Sequence, residues 1–244
     1  MIEIRMLEEV NLKGFTFVEG FPGTGLVGPM AVSYIIDKLG MSYVGYLESD
    51  DFPPLVSVHN SMPMKPVRVY YSDKYKICTV FAEFAIPVNL IYETTTAIYK
   101  FIKERGISKI ISIGGIPQTS PQKTLFSITS TQAMQKLAKD AGLVAISDGV
   151  SIGVSALLIS SAVLDEIDDL DILVPVEGEI IDPKYAEYAI KAFNKIMKLN
   201  IDVSELEEEA KEVEAKVREL MKKGKDTHDS YKKVVSNTSP SMYA

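Results

Sequence analysis

The sequence predicts an α/β domain built around a mixed β-sheet. Short runs rich in β-branched residues alternate with longer stretches of helical period 3.6 as far as about residue 200. Gly40, Gly106 and Gly142 follow three of the helical stretches, in the position where helices commonly end. Two strand-like runs flank a polar turn at residues 72–74, which predicts a hairpin. The sheet is therefore expected to contain an antiparallel pair.

The first half of the chain is expected to open with a core strand and a helix. Residues 15–19 (FTFVE) have strand character, and Pro29 suits the first position of a helix that starts near Gly28 and ends at Gly40. A crossover helix is expected next, entered through Pro87. The further elements predicted here are a strand at 42–48, hairpin strands at 67–71 and 76–84, and the crossover helix at 88–105.

The second half continues the alternation. The run KIISI at 109–113 predicts a strand that stops at Gly114 and Gly115. A helix at 155–164 contains no charged residue, so we expect it to be buried. The other predicted elements are strands at 125–128, 143–147 and 172–176, and helices at 129–141 and 183–199.

Composition excludes several classes of function. The 244 residues are 46% apolar and carry a net charge of -7, so no overall positive field attracts nucleic acid or an anionic membrane. One cysteine and two histidines supply neither a disulfide nor a zinc cluster, and we expect no metal or other cofactor. The N-terminus is charged from its third residue and the uncharged runs are short. A cytoplasmic protein is expected.

The composition changes after residue 200, which divides the chain into a core at 1–200, a charged helix at 201–223 and a tail at 224–244. Apolar residues in 204–223 alternate at spacings of four and three. This helix either lies on its own core or packs against another subunit. The tail has little apolar content and is expected to be a flexible arm. It ends in Met242, Tyr243 and Ala244.

Glycine motifs are the candidate ligand sites. Gly23, Gly25 and Gly28 form a G-x-G-x-x-G pattern between a predicted strand and a predicted helix, the context of a dinucleotide-binding turn. The alternative is a tight structural turn, which Pro29 favours. Gly114 with Gly115, and likewise residues 148–149, follow predicted strands where a pocket or a plain turn is equally possible.

The remaining candidates for chemistry are few. Glu19 and Glu83 lie at predicted strand ends, where a pair of carboxylates for acid–base work is conceivable. Cys78 lies within a predicted strand, which favours a small core residue over a nucleophile. His59 and His228 have no neighbouring serine or cysteine that would complete a triad. No catalytic residue is predicted.

Three motifs together resemble the archaeal members of the proteasome assembly chaperone family. They are the run 21–28 (FPGTGLVG) leading into 31–39, the run 113–117 (IGGIP), and residues 148–149 with Gly153 before residues 157–158. The resemblance implies a three-layer α/β/α domain of purine-nucleoside-phosphorylase-like topology that forms homo-oligomers and works without ATP or an enzymatic role. With the crossover predicted above, we expect a mixed, mainly parallel sheet.

The terminus Met242-Tyr243-Ala244 also resembles the hydrophobic-tyrosine-any motif by which proteasome activators and assembly factors dock on the core particle. That resemblance implies a carboxylate of Ala244 bound by a lysine between adjacent α-subunits, with Tyr243 beside it. Several tails on one oligomer would add their weak contacts on the α-ring. The alternative function is a nucleoside- or nucleotide-binding enzyme or sensor that uses the turn at residues 23–28.

Overall fold

The computed structural model describes residues 1–59, 61–118, 124–177 and 180–208, together with 214, 215, 218 and 219. Strands and helices alternate through most of this part of the chain. The strands are β1 (Glu3–Met6), β2 (Thr16–Glu19), β3 (Ser42–Glu48), β4 (Ser57–His59), β5 (Met62–Met64), β6 (Val67–Ser72), β7 (Ile77–Ala82), β8 (Lys109–Gln118), β9 (Phe126–Thr129), β10 (Val144–Ala145) and β11 (Asp168–Glu177). The α-helices are α1 (Val27–Lys38), α2 (Ile91–Glu104), α3 (Gln132–Ala141), α4 (Val154–Leu164) and α5 (Pro183–Met197).

Nine of these strands form one mixed sheet in the order β1-β3-β6-β7-β2-β8-β11-β9-β10, and β4 pairs with β5 in a separate hairpin. The pairs β7–β2, β2–β8, β8–β11 and β9–β10 are parallel. The other neighbouring pairs are antiparallel. The α/β class and the mixed sheet are confirmed, but the expectation of a mainly parallel sheet is wrong. Strands β1, β3, β6 and β7 pair in antiparallel fashion at one edge, and β9 runs antiparallel to β11 near the other. The sheet therefore contains as many antiparallel pairs as parallel ones.

Helices cover both faces of the sheet and create three layers. Successive strand residues point to opposite faces. Val18 and Ile111 therefore pack with α1, α3 and α5, whereas Phe17 and Ile110 pack with α2 and α4. Each face has its own buried apolar cluster, so the sheet lies between two cores.

Glycines end the helices where the sequence predicts. Gly40, Gly106 and Gly142 have φ values of +55°, +65° and +91°, a region that side chains with a Cβ rarely adopt. The start of α1 differs from the prediction. A 3-10 turn at Thr24–Leu26 precedes the helix, and the left-handed Leu26 leads into Val27. Pro29 is consequently the third residue of α1 and not its first.

Strand β8 is longer than its sequence indicates. It continues through Gly114 and Gly115 to Gln118, and the prediction that it stops at these glycines is wrong. All ten residues of β8 are in register with β11, so the neighbouring strand extends the ladder past the glycines. Strands β1, β4 and β5 were not anticipated, and β10 has two residues where five were expected.

The apolar helix α4 is buried along one side. Val154, Leu158, Ile159 and Ala162 lie in the interior, while Leu164 is 83% exposed. The expectation of a fully buried helix is therefore wrong for this chain by itself, because nothing in the described ranges covers its outer side. No helix in those ranges is long and apolar enough to cross a bilayer.

The structure describes the beginning of the predicted charged helix. Residues 206–208 form a helical turn, and Leu206 is buried against the α1/α5 core. Most of 204–223, and all of 224–244, lie outside the described residues, so the predicted division of this region stays a prediction.

Candidate functional site

The glycine-rich turn lies at the carboxyl end of β2 and packs against the body of the fold. A Cβ atom at Gly28 would lie 2.7 Å from the Ile113 carbonyl oxygen, and one at Gly20 would lie 2.6 Å from the Gly28 oxygen. Gly25 has φ +65° and would bring a Cβ to 2.8 Å from the Val176 side chain. These distances are shorter than real Cβ contacts, so close packing requires glycine at all three positions. At Gly23, the nearest atom to a Cβ is 3.9 Å away.

The second glycine motif meets the first. A Cβ at Gly115 would lie 2.2 Å from the carbonyl oxygen of Thr24, which belongs to the turn. A Cβ at the neighbouring Gly114 would lie 3.9 Å from Leu173, an ordinary contact. Two motifs ninety residues apart in sequence thus form one packing arrangement, in which the turn lies directly on β8. This contact accounts for Gly115 and Gly28 without a ligand.

Asp148 and Gly149 belong to an exposed loop that leads into α4. Val150 and Ile152 in the same loop are 93% and 87% exposed. Gly153 has φ +98° and precedes the first residue of α4. The loop therefore presents two aliphatic side chains to the outside at the start of an uncharged helix.

Three carboxylates are buried together under α4. Glu19, Ser112 and Asp171 occupy matching register positions on β2, β8 and β11. Asp169 lies two residues before Asp171 and so shares its face of the sheet. None of the three carboxylates has exposed surface. The sequence contained a signal for this, because acids two residues apart in the strand DDLDILVPVE must point the same way.

Burial controls the protonation of this acidic cluster, which comprises Glu19, Asp169 and Asp171. Desolvation, and then the charge of Glu19, raises the pKa of Asp171 to about 8. Desolvation also raises the pKa of Asp169, with further repulsion from Asp171 and Glu19. The pKa of Glu19 is raised by burial against smaller opposing effects of the Ser155 and Ser112 hydroxyls. Burial and mutual repulsion thus favour the protonated forms of these carboxyl groups.

The same cluster connects the glycine turn to α4. Glu19 Oε2 accepts a hydrogen bond from the Phe21 amide at 3.1 Å. The nearby Ser155 hydroxyl, at the start of α4, opposes the rise in the pKa of Glu19. In the described part of the chain, no three acid, histidine or cysteine side chains are arranged to hold a metal ion.

Glu83 has partners of its own, separate from those of Glu19. The Arg68 guanidinium donates to it through Nη1 at 3.1 Å, and Nη2 lies 2.9 Å from Oε1. His59 Nε2, from the β4–β5 hairpin, lies 2.8 Å from the same Oε1. Arg68 and Glu83 are buried, so this pair is structural and holds the hairpin against the sheet. Glu19 and Glu83 do not form the conceivable catalytic pair.

The cysteine and histidine predictions have separate outcomes. Cys78 is fully buried in β7, and burial raises the pKa of its thiol to about 12. It is a neutral core residue at physiological pH, as predicted. His228 lies outside the described residues.

A groove of about 630 Å³ runs between α2 and α4. The Tyr99 hydroxyl donates to the Ser161 carbonyl oxygen at 3.0 Å and joins the two helices. Lys103 and Asp165 form an ion pair at 2.8 Å at one end of the groove. Lys100 also lines it and lies 3.7 Å from Glu104. The groove thus combines apolar walls with charges that are already paired.

The described start of the C-terminal segment is fixed to the opposite face of the sheet. The Tyr34 hydroxyl of α1 donates to the Asp202 carbonyl oxygen at 2.7 Å, and Lys38 pairs with Glu205 at 2.6 Å. Leu206 is buried in the cluster of α1 and α5. Met242, Tyr243 and Ala244 lie outside the described residues.

Comparison with known proteins gives a family and a fold. A family model described as the PAC2 family matches residues 17–221. An uncharacterised protein of Methanocaldococcus jannaschii is 30% identical over 204 residues, which cover 83% of this chain and 84% of that protein. The family match therefore includes the glycine turn, the acidic cluster and all five α-helices given above.

Two solved structures from Pyrococcus furiosus share the fold. PbaA, described as an archaeal homologue of proteasome-assembly chaperone, superposes with a TM-score of 0.82 at 23% identity, covering 95% of this chain and all of that one. PbaB, described as an archaeal proteasome activator, superposes with a TM-score of 0.74 at 25% identity, covering 90% of this chain and 98% of that one. The three-layer arrangement is thus common to all three chains.

Proposed function

The chain belongs to the PAC2 family, and from this we propose that it is an ATP-independent proteasome assembly chaperone homologue or proteasome activator. In this proposal it docks on the α-ring of the core particle through the C-terminal tails of a homo-oligomer and carries out no chemical step. The observation that carries the proposal is the likeness to PbaB over nearly the whole chain, combined with the sequence Met242-Tyr243-Ala244.

The chemistry of the last three residues suits a docking group. The proposal requires that Ala244 carry a free carboxylate, which a lysine in a pocket can bind. Tyr243 supplies a flat ring with a hydrogen-bonding hydroxyl, and Met242 supplies an adaptable apolar side chain. Such a small group gives weak affinity by itself, so several copies must act together.

The position of residues 205–208, which lead to the tail, would allow the tail to reach a separate ring. Leu206 and Glu205 hold the chain to α1 and α5, so the segment leaves from this side of the molecule. As a coil, the 21 residues of the tail at 224–244 would span about 25 Å. The tail would then reach a pocket while the folded core stays clear of the ring.

Nucleotide binding at residues 23–28 has less support. The turn lies against β8 and β11, and the space in front of Gly25, Gly28 and Gly115 is filled by the chain's own atoms. The close packing explains the glycines that the dinucleotide pattern would otherwise explain.

The test is binding to a proteasome core particle from the same source. We expect the full-length protein to bind and a variant ending at Ser241 not to bind, because the truncation removes the carboxylate, the ring and the apolar anchor together. A second variant with one glycine added after Ala244 keeps both side chains but displaces the carboxylate. It should also lose binding. Peptide hydrolysis by the core particle, measured in the same samples, separates an activator from an assembly chaperone.

Circular dichroism and thermal unfolding of the truncated variant provide the control, since both should match the full-length protein. Unchanged binding after the truncation would contradict the proposal. The glycine turn would then become the next site to examine, by thermal shift with nucleosides, phosphate and dinucleotides. A ligand present at a hundred times its dissociation constant should stabilise the native state by about 2.7 kcal/mol.

A further inference from the structure

The outer side of α4 has the character of an interior surface. Its sequence VSALLISSAVL contains no charged residue, although most surface helices in soluble proteins carry charges on the side that faces water. One side of the helix is buried against the sheet and α2. The other side presents Val163 and Leu164, which are 51% and 83% exposed. An uncharged helix of this kind is normally covered on both sides.

The uncovered residues form a stripe. Ala156, Ser160 and Leu164 recur every four residues of α4, the spacing of one helix face; Ala156 is half-buried, the other two are exposed, and the exposed Ile152 lies in the loop just before the helix. The neighbouring α2 region adds Val88, 86% exposed, and Tyr92, 75% exposed. We call this stripe, together with Val88, Tyr92, Val150 and Val163, the α2/α4 face. Its six large apolar residues are each more than half exposed, and an interface of ordinary size buries about 800 Å² on each partner.

The side chains that form this face are uncharged, and two ion pairs that border it are satisfied within the chain. Lys103 pairs with Asp165, and Lys100 lies beside Glu104. An occupant therefore needs neither a positive nor a negative surface. The occupant needs an uncharged, apolar surface with small residues that allow close approach. The α2/α4 face itself is such a surface.

We propose that the α2/α4 face is covered by the α2/α4 face of a second copy of this chain. The inference rests on the oligomerisation that the proposed function calls for and assigns a surface to it. Two copies of one net-negative chain repel each other least where the contact surface is itself neutral. A two-fold axis brings the same residues together from both sides, so the face need only complement itself.

The chain's own C-terminal segment is a less suitable occupant. Residues 199–208 are held on the α1/α5 side, and the sheet separates that side from the α2/α4 face. The proposed pairing leaves the root of each segment uncovered. The assembly would present its tails away from the interface that joins the copies.

The first test measures the mass of the full-length protein alone by sedimentation, so that it does not depend on docking. We expect the wild type to sediment as a multiple of 26.9 kDa. A double variant, Ser160→Arg with Leu164→Glu, should sediment at half of that mass or less, with an unchanged circular dichroism spectrum. Leu7→Glu changes an exposed apolar residue outside this face and should keep the wild-type mass. A monomeric wild type, or a double variant of wild-type mass, would overturn the proposal.

The second test locates the contact by cross-linking. Cys78 is buried, so a cysteine placed at the surface is the accessible thiol of the chain. Cysteine is introduced singly at Ala156, Ser160 and Leu164, and at Val58 as the control. Under mild oxidation, at least one of the three stripe positions should give a disulfide-linked dimer, and Val58→Cys should not. Failure at all three stripe positions would contradict the self-association of this face even if the protein is oligomeric and binds the core particle.

Discussion

The Asp169 and Asp171 carboxylates have no exposed surface on β11, and Glu19 lies beside them at the end of β2. Raised pKa values mean that the folded protein holds protons which the unfolded chain releases near pH 4. For Asp171, the folded protein holds this extra proton over the pH range from the ordinary pKa of 3.8 to the raised pKa of about 8. The free energy of unfolding therefore falls as the pH rises across this range. The contribution of the protonated Asp171 to that free energy is lost by about pH 8.

Replacing Asp171 with asparagine should flatten this pH dependence. Asparagine has nearly the same shape and cannot ionise, so the variant should be more stable than the wild type at pH 8, by about 1–3 kcal/mol. The difference should shrink toward pH 4. The measurement is urea unfolding of both proteins at several pH values between 4 and 9. Asp148→Asn, at an exposed position, should follow the wild type, and parallel curves for Asp171→Asn would contradict the assignment.

Sequence alone identified some residues at this scale and missed others. Cys78 and the helix-ending glycines follow local rules, and the structure agrees with both. The strand DDLDILVPVE indicates that Asp169 and Asp171 share a face, but the burial of that face could not be predicted, because an acid in a strand is normally solvent-facing. Its burial depends on Glu19, which is 150 residues away in sequence and adjacent in the sheet.

Among the elements, the contact between the glycine turn and β8 shows why local rules failed. Glycine usually ends a strand, yet β8 passes through two glycines because β11 is paired along its whole length. Gly115 is needed for a different reason, namely the approach of Thr24. The hairpin, the crossover helix α2 and the helix α5 were predicted correctly because each is specified by its own periodicity.

Substitution of adjacent glycines tests this contact. Gly115→Ala would place a Cβ 2.2 Å from a backbone oxygen, so the turn must move, and we expect a loss of about 2–4 kcal/mol or failure to fold. Gly114→Ala, with its nearest neighbour at 3.9 Å, should cost about 1 kcal/mol or less. Thermal unfolding of both variants gives the comparison. Equal stability of the two would argue that the turn does not depend on this packing.

For the whole molecule, the sheet separates two surfaces, and each of the two proposals uses one of them. The α1/α5 side holds the root of the C-terminal segment, and the α2/α4 side carries the uncharged face. The sequence already contained both signals, the docking-like terminus and the uncharged helix. Only the fold reveals that the uncharged helix and the chain at 199–208, which leads to that terminus, lie on opposite sides of the sheet, because that relation depends on crossover connections and not on any local pattern.

This separation predicts how the two proposals combine. The double variant Ser160→Arg with Leu164→Glu keeps an intact terminus on each chain but should present at most half as many tails per particle as the wild type. Because linked tails raise overall affinity by about 10²–10⁴ when they can bind together, its apparent affinity for the core particle should fall by about tenfold or more. Fusion of a dimeric coiled coil to the N-terminus should restore part of that affinity without restoring the α2/α4 contact. Surface-binding measurements with immobilised core particle give both values. An affinity equal to that of the wild type, for a variant shown to be monomeric, would mean that one tail is enough.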